Sequence, residues 1–139
     1  MSKLEVKPLC KENLKELLPI IQQLSSYNPG IISIEEDWSS FQKQNVYAIA
    51  CFSDKKLVGA AFLFIKQKIR GGLVGNIEDV VVKKEYHNKG IGSLLIKQLI
   101  SYANLRKCYS INLVCASENI GFYKKLGFSK AESEMKLRL

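Results

Sequence analysis

At 139 residues the chain has room for one domain with a substantial core and little room for a second. A net charge of +8, with 47% hydrophobic and 24% charged residues, describes a globular chain that favours anionic partners. No apolar run approaches the roughly 20 residues of a membrane span, and Met1-Ser2-Lys3-Leu4-Glu5 lacks the apolar core of a secretory signal. Cys10, Cys51, Cys108 and Cys115 have no CxxC spacing, and the lone His87 leaves no zinc set. The expectation is a cytoplasmic protein with reduced thiols, no membrane partner and no metal.

Leu4 to Leu9 alternates apolar and polar residues, as a half-buried first strand does, with Pro8 near its end. From Asn13 to Tyr27, residues Leu14, Leu17, Leu18, Ile21 and Leu24 share one helical face, and Pro19 predicts a kink or break in it. Ser25 to Gly30 ends that helix. Ser33 with Glu36 three residues later makes a capping-box pattern for a second helix, with Trp38 and Phe41 facing inward. Val46 to Phe52 and Leu57 to Ile65 are β-rich runs joined by Ser53-Asp54-Lys55-Lys56, a hairpin pattern. Gly59, Ala60 and Ala61 in the second run leave room for another backbone or a ligand. Lys66 to Gly75 reads as a turn with Gly71 and Gly72.

Asn76 to Val82 is a strand of mostly β-branched residues. Lys83 to Tyr86 turns into the loop His87-Asn88-Lys89-Gly90-Ile91-Gly92-Ser93, and a helix follows with Leu94, Leu95, Gln98, Leu99 and Tyr102 in register, to about Arg106. A helix start presents unpaired N–H groups and the positive end of the macrodipole, so glycines there suit a phosphate or pyrophosphate. The dinucleotide fingerprint is absent, because Leu95 stands where its third glycine would fall, and no Walker pattern occurs. Two glycines that merely open a helix would look the same. Ser110 to Cys115 is a buried-looking strand, Asn119 to Leu126 a short helix closed by Gly127, and Glu132 to Leu139 alternates as a last strand. The order β, α, α, β, β, β, α, β, α, β predicts one α/β domain over residues 1–139, a mixed central sheet flanked by helices.

Together, NIEDVVV, HNKGIGSLLIKQLI, KCYSINLVC and ENIGFYKKLGF resemble the GNAT N-acetyltransferase superfamily, and within it the glucosamine-6-phosphate N-acetyltransferase family. The likeness is strong from Gly75 to Leu139 and rests on element order before that. Asn119 precedes Tyr123 by four residues, the short spacing of the sugar-phosphate enzymes. The resemblance implies a GNAT fold and direct transfer from acetyl-CoA to D-glucosamine 6-phosphate without a metal, feeding UDP-N-acetylglucosamine supply. It implies that Asn88, Lys89, Gly90, Ile91, Gly92 and Ser93 cradle the CoA pyrophosphate, that Val80, Val81 and Val82 line the pantetheine arm, and that Asn119 and Tyr123 complete the donor site. Tyr123 and Glu78 are its catalytic candidates. Ser25, Lys66, Glu78, Asp79, Tyr109, Ser110 and Arg138 are its acceptor contacts, with Arg138 reaching across a homodimer into the partner's site.

An amine attacking a thioester needs a neutral amine, a stabilised oxyanion and a proton for the departing thiolate. A phenol at Tyr123 suits the last, although an aromatic before a helix end is also an ordinary core position. Neighbours in a strand point to opposite faces, so Glu78 and Asp79 both face a substrate only if a bulge intervenes. Three positions depart from the family. His87 replaces an Arg or Gln, Ser110 a basic residue that Lys107 or Arg70 could replace, and Val114 an acidic one. Two other readings compete: a GNAT enzyme for another small amine or a protein N-terminus, and a basic RNA- or ribosome-binding module. The aliphatic strands and the lack of an RNA-binding motif argue against nucleic acid.

Overall fold

A computed structural model describes residues 3–24 and 34–139. Among them, β1 (Leu4–Pro8), β2 (Val46–Ser53), β3 (Lys56–Gln67), β4 (Leu73–Val82) and β5 (Cys108–Leu113) form one sheet in sequence order. The first three pairings are antiparallel and β4–β5 is parallel. A parallel pair needs a crossover between its strands, and α3 (Ile91–Leu105) supplies it. Its inward residues Ile91, Leu95, Ile96, Leu99 and Ala103 pack on Ile49, Leu63, Ile65 and Ile77 of one sheet face. A Cβ at Gly59 would lie 3.0 Å from the Val81 carbonyl oxygen and 3.3 Å from Ile91 and Leu95, so the glycine lets α3 sit close to the sheet.

The other face is covered by α1 (Leu14–Ile21) and α2 (Ile34–Gln42), with Leu17, Ile20, Trp38 and Phe41 against Ala50, Phe52, Ala60, Phe62 and Phe64. Phe41 meets Phe62 and Phe64 edge-on, at centroid distances of 5.7 and 5.9 Å. This cover stops at β3 and part of β4. Among the described residues no helix covers the β5 side of that face. A short α4 (Ile120–Lys125) follows β5 and closes at Gly127, in left-handed conformation with φ 101°. Among the described residues no helix is long and apolar enough to cross a membrane.

The structure corrects three expectations and bears out one. The first helix passes through Pro19 to Ile21 and only then tightens into a 3₁₀ turn over Gln22–Leu24, so the proline does not end it. The turn before β4 is shorter than expected: β3 runs to Gln67 and β4 begins at Leu73. The expected hairpin forms at Asp54-Lys55, both residues having positive φ (48° and 71°), the twist that a two-residue connection favours. Glu132–Leu139 forms no strand: the outer edge of β5 is unpaired, but a groove separates it from residues 128–135, so the alternating segment does not join it. Ser33 lies outside the described residues, so the capping box does too.

Candidate active site

The site grows from one irregularity in β4. On β3, Ala60 and Phe62 are separated by one residue, while their partners Val81 and Glu78 are separated by two. The extra residue makes a β-bulge, with Asp79 at φ 52° in the left-handed region. An aspartate tolerates that conformation better than most residues. The bulge breaks the alternation of side chains, so Glu78 and Asp79 both line one cleft. Parallel pairing with β5 ends at Ile77 opposite Leu113. Beyond it the two strands part, and among the described residues the β5-facing edge of Glu78–Val82 has no strand neighbour.

The fork holds a cleft of about 330 Å³. Glu78, Asp79 and Val80 form one wall, Val114 and Cys115 the other, and Asn119 and Tyr123 close it from the start of α4. Leu24, Cys115 and Ala116 also line it and were not among the sequence candidates; the two after β5 could have been found only by knowing where that strand ends. The Tyr123 ring is held edge-on between Phe122 and Phe128, at 4.9 and 5.8 Å. Burial, and next the neighbouring Cys115, push its phenol above the usual tyrosine range. The hydroxyl therefore keeps its proton at neutral pH.

Asp79 is exposed at the cleft mouth, yet the packed walls strip enough water from its carboxyl to raise its pKa. A raised folded-state pKa means that ionisation costs stability. That cost is absent below the ordinary aspartate range, grows as pH rises through the raised value, and persists above it. Asp79→Asn should therefore raise the melting temperature at neutral pH, and the gain should vanish in strong acid. Thermal unfolding across that pH range checks it; an equal effect at both ends would contradict the desolvation argument.

Beside the fork, α3 begins at Gly90, whose φ of 80° lies in the left-handed region that glycine adopts freely. The first intrahelical bond runs from Leu94 N–H to the Gly90 carbonyl at 3.0 Å, so the N–H groups of Ile91, Gly92 and Ser93 precede the ladder. Ile91 is buried in the core, so only its backbone is available to a ligand. Asn88 (φ 62°) and Lys89 lie on the exposed approach. A Cβ at Gly92 would come within 3.4 Å of the Phe122 ring, which leans over this turn. His87 Nε2 donates to the Val82 carbonyl at 2.8 Å, tying the loop to the end of β4. Val82 and Val80 pack toward α3, whereas Val81 is buried on the opposite face.

The acceptor candidates are more dispersed. Lys66 is exposed near the end of β3, and Ser110 lies on the open face of β5. The Tyr109 ring packs over Gly72 in the β3–β4 turn, away from the cleft. Arg138 is exposed in the strandless C-terminal segment. Ser25 lies outside the described residues. Neither Tyr109, Ser110 nor Arg138 borders the cleft in a single copy of the chain.

A forked sheet, an anion-ready helix start and a proton-bearing phenol between them define the class, an acyltransferase working on a phosphate-bearing donor. Residues 14–128 match the acetyltransferase (GNAT) family, and the chain belongs to that family. GNAT acetyltransferases use acetyl-CoA. The chain is similar to glucosamine 6-phosphate N-acetyltransferase of Schizosaccharomyces pombe, 42% identical over 82 residues that make up 58% of this chain and 74% of that one. It is likewise similar to the Trypanosoma brucei brucei protein of the same name, 42% identical over 86 residues, 60% of this chain and 58% of that one. A crystal structure of a Trypanosoma brucei acetyltransferase superposes with a TM-score of 0.90 at 29% identity, covering 99% of this chain and 100% of the other.

Proposed function

We propose that the protein transfers the acetyl group of acetyl-CoA directly to the amine of D-glucosamine 6-phosphate, giving N-acetyl-D-glucosamine 6-phosphate for UDP-N-acetylglucosamine synthesis. The observation that carries this reading is the bulge at Asp79, which turns two adjacent carboxylates into one cleft opposite Tyr123. Two relatives carrying that activity in their names support the acceptor.

In this reading the N–H groups at the start of α3 and the cation of Lys89 hold the pyrophosphate. The open edge of Val80–Val82 receives the extended pantetheine arm as a neighbouring strand. The carboxylates of Glu78 and Asp79 draw the ammonium into the cleft and take its proton there, the role Val114 cannot fill. The free amine attacks the thioester carbon, and a backbone N–H at the bulge steadies the oxyanion. The C–S bond then breaks, and the Tyr123 hydroxyl protonates the departing thiolate. The extra proton on the acylated nitrogen leaves through solvent to restore the phenol, giving a neutral amide. The product amide is neutral, so its hold on the two carboxylates is lost.

The acceptor phosphate faces the basic end of the sheet, where Lys66 shares a register row with Val74 and Ser110 and the exposed Arg70 follows β3 in the chain. Arg138 joins them from a second copy of the chain. A groove of about 720 Å³ runs along the outer edge of β5, between it and residues 128–135. In the unpaired tail, Met135, Leu137 and Leu139 alternate with polar residues and are 94%, 83% and 116% exposed, a spacing suited to a strand that pairs elsewhere. The reading is a homodimer whose tails exchange. Removing residues 132–139 should convert a dimer to a monomer in light scattering and raise KM for the sugar phosphate. An unchanged mass would refute the exchange.

Cytoplasmic placement belongs to this reading, supported by four free thiols. Direct transfer is tested by mixing enzyme with acetyl-CoA alone and following protein mass. No acetyl-enzyme should form, and the acetyl group should leave acetyl-CoA only once the amine is added; a stoichiometric acetylated protein would instead indicate a covalent route through a side chain.

A further inference from the structure

The open face of the sheet carries a polar row that the reaction scheme does not use. On β5, Ile111 and Leu113 pack toward α3, so Ser110, Asn112 and Val114 point the other way. On β4, a Cβ at Gly75 would meet Leu63 and Ile111 on the α3 side, so Asn76 and Glu78 share the opposite face. The registers then give three rows across β3, β4 and β5. Lys66, Val74 and Ser110 form the first, Phe64, Asn76 and Asn112 the second, and Phe62 with Glu78 the third. Two residues along a strand rise about 7 Å, so the basic first row and the acidic third row lie roughly 13 Å apart. The middle row joins them.

Asn76 and Asn112 are directly opposed across the parallel pair, half-buried and exposed respectively. Among the described residues neither amide makes a side-chain hydrogen bond. Each amide offers one carbonyl acceptor and two N–H donors, so it can both accept from and donate to a hydroxyl. Both are neutral. They therefore compete neither with Glu78 for an ammonium nor with Lys66 for an anion.

We infer that Asn76 and Asn112 form a paired-amide row that binds ring hydroxyls of the acceptor and selects a polyhydroxylated amine over a plain one. The inference rests on the proposed amino-sugar reading and adds the residues that distinguish such an acceptor. A site built to hydrogen-bond a hydroxyl discriminates against the analogue lacking it, because its own polar groups are then left unpaired. An aliphatic residue at either position would keep the strand and lose that discrimination.

The test is steady-state kinetics of Asn76→Val and Asn112→Val with glucosamine 6-phosphate and with its 1-, 3- and 4-deoxy analogues. Each variant should raise KM for the intact sugar about tenfold while leaving KM for acetyl-CoA unchanged. At least one deoxy analogue should be penalised by the wild-type enzyme and no longer penalised by the matching variant, the signature of a lost direct contact. Wild-type KM in both variants would overturn the inference. An equal penalty on every analogue would overturn it too, since it marks a structural effect. A wild-type enzyme that turns over another amine but not glucosamine 6-phosphate would overturn the amino-sugar reading and this inference with it, which separates that failure from the first two.

Discussion

Tyr123→Phe is expected to lower kcat about a hundredfold, the ordinary worth of a positioned general acid, with KM for acetyl-CoA unchanged. The substitution removes only an oxygen. The ring's edge-on contacts with Phe122 and Phe128 at 4.9 and 5.8 Å remain available to phenylalanine, so the helix and the cleft wall keep their packing. What goes is a proton poised at the cleft. Burial first, and Cys115 second, hold that proton above the usual tyrosine range. The active form is the protonated one, so wild-type activity should fall as pH rises through this raised value, and the variant should lack that alkaline limb. A pH–rate profile of both proteins checks the pair of expectations. Wild-type turnover in the variant would reduce Tyr123 to a packing residue.

Gly90→Val is expected to weaken acetyl-CoA binding by about tenfold or more. Nothing lies within 4 Å of a Cβ at this position, so space is not the obstacle. The obstacle is the backbone: φ is 80°, and a residue with a side chain pays roughly 1–2 kcal/mol there, a β-branched one most of all. The variant loop relaxes when empty, and binding must then restore the strained turn, so the cost appears in the affinity. Gly90→Asn provides the graded control, because asparagine visits the left-handed region at little cost. Titration calorimetry should rank glycine and asparagine close together and valine well below. Equal affinities would mean that the turn does not hold the pyrophosphate.

Much of this arrangement could be read along the chain, because the relevant periods are local. The 3.6-residue spacing from Leu94 to Tyr102 placed α3, and the β-branched run before it placed the end of β4. The bulge could be named only as a condition on Glu78 and Asp79. Nothing in Asn76-Ile77-Glu78-Asp79-Val80 marks the extra residue, which exists because β3 supplies one residue where β4 supplies two. The cleft is equally non-local, since it opens where β4 and β5 stop pairing. The alternation of Glu132 to Leu139 was legible, but alternation records a preference for a strand and not which edge, if any, the segment joins. The Asn76–Asn112 row was invisible for a related reason: the two residues meet only through a parallel pairing across α3.

The central claim is that the forked cleft delivers an acetyl group from acetyl-CoA to a phosphorylated amino sugar. It is tested most directly by thiol release from acetyl-CoA, with glucosamine 6-phosphate, glucosamine and a basic peptide as rival acceptors. The expected result is rapid release with the phosphorylated sugar and little with the other two. Release with the peptide and none with the sugar phosphate would contradict the acceptor assignment, and with it the roles given to Lys66, Glu78 and Asp79.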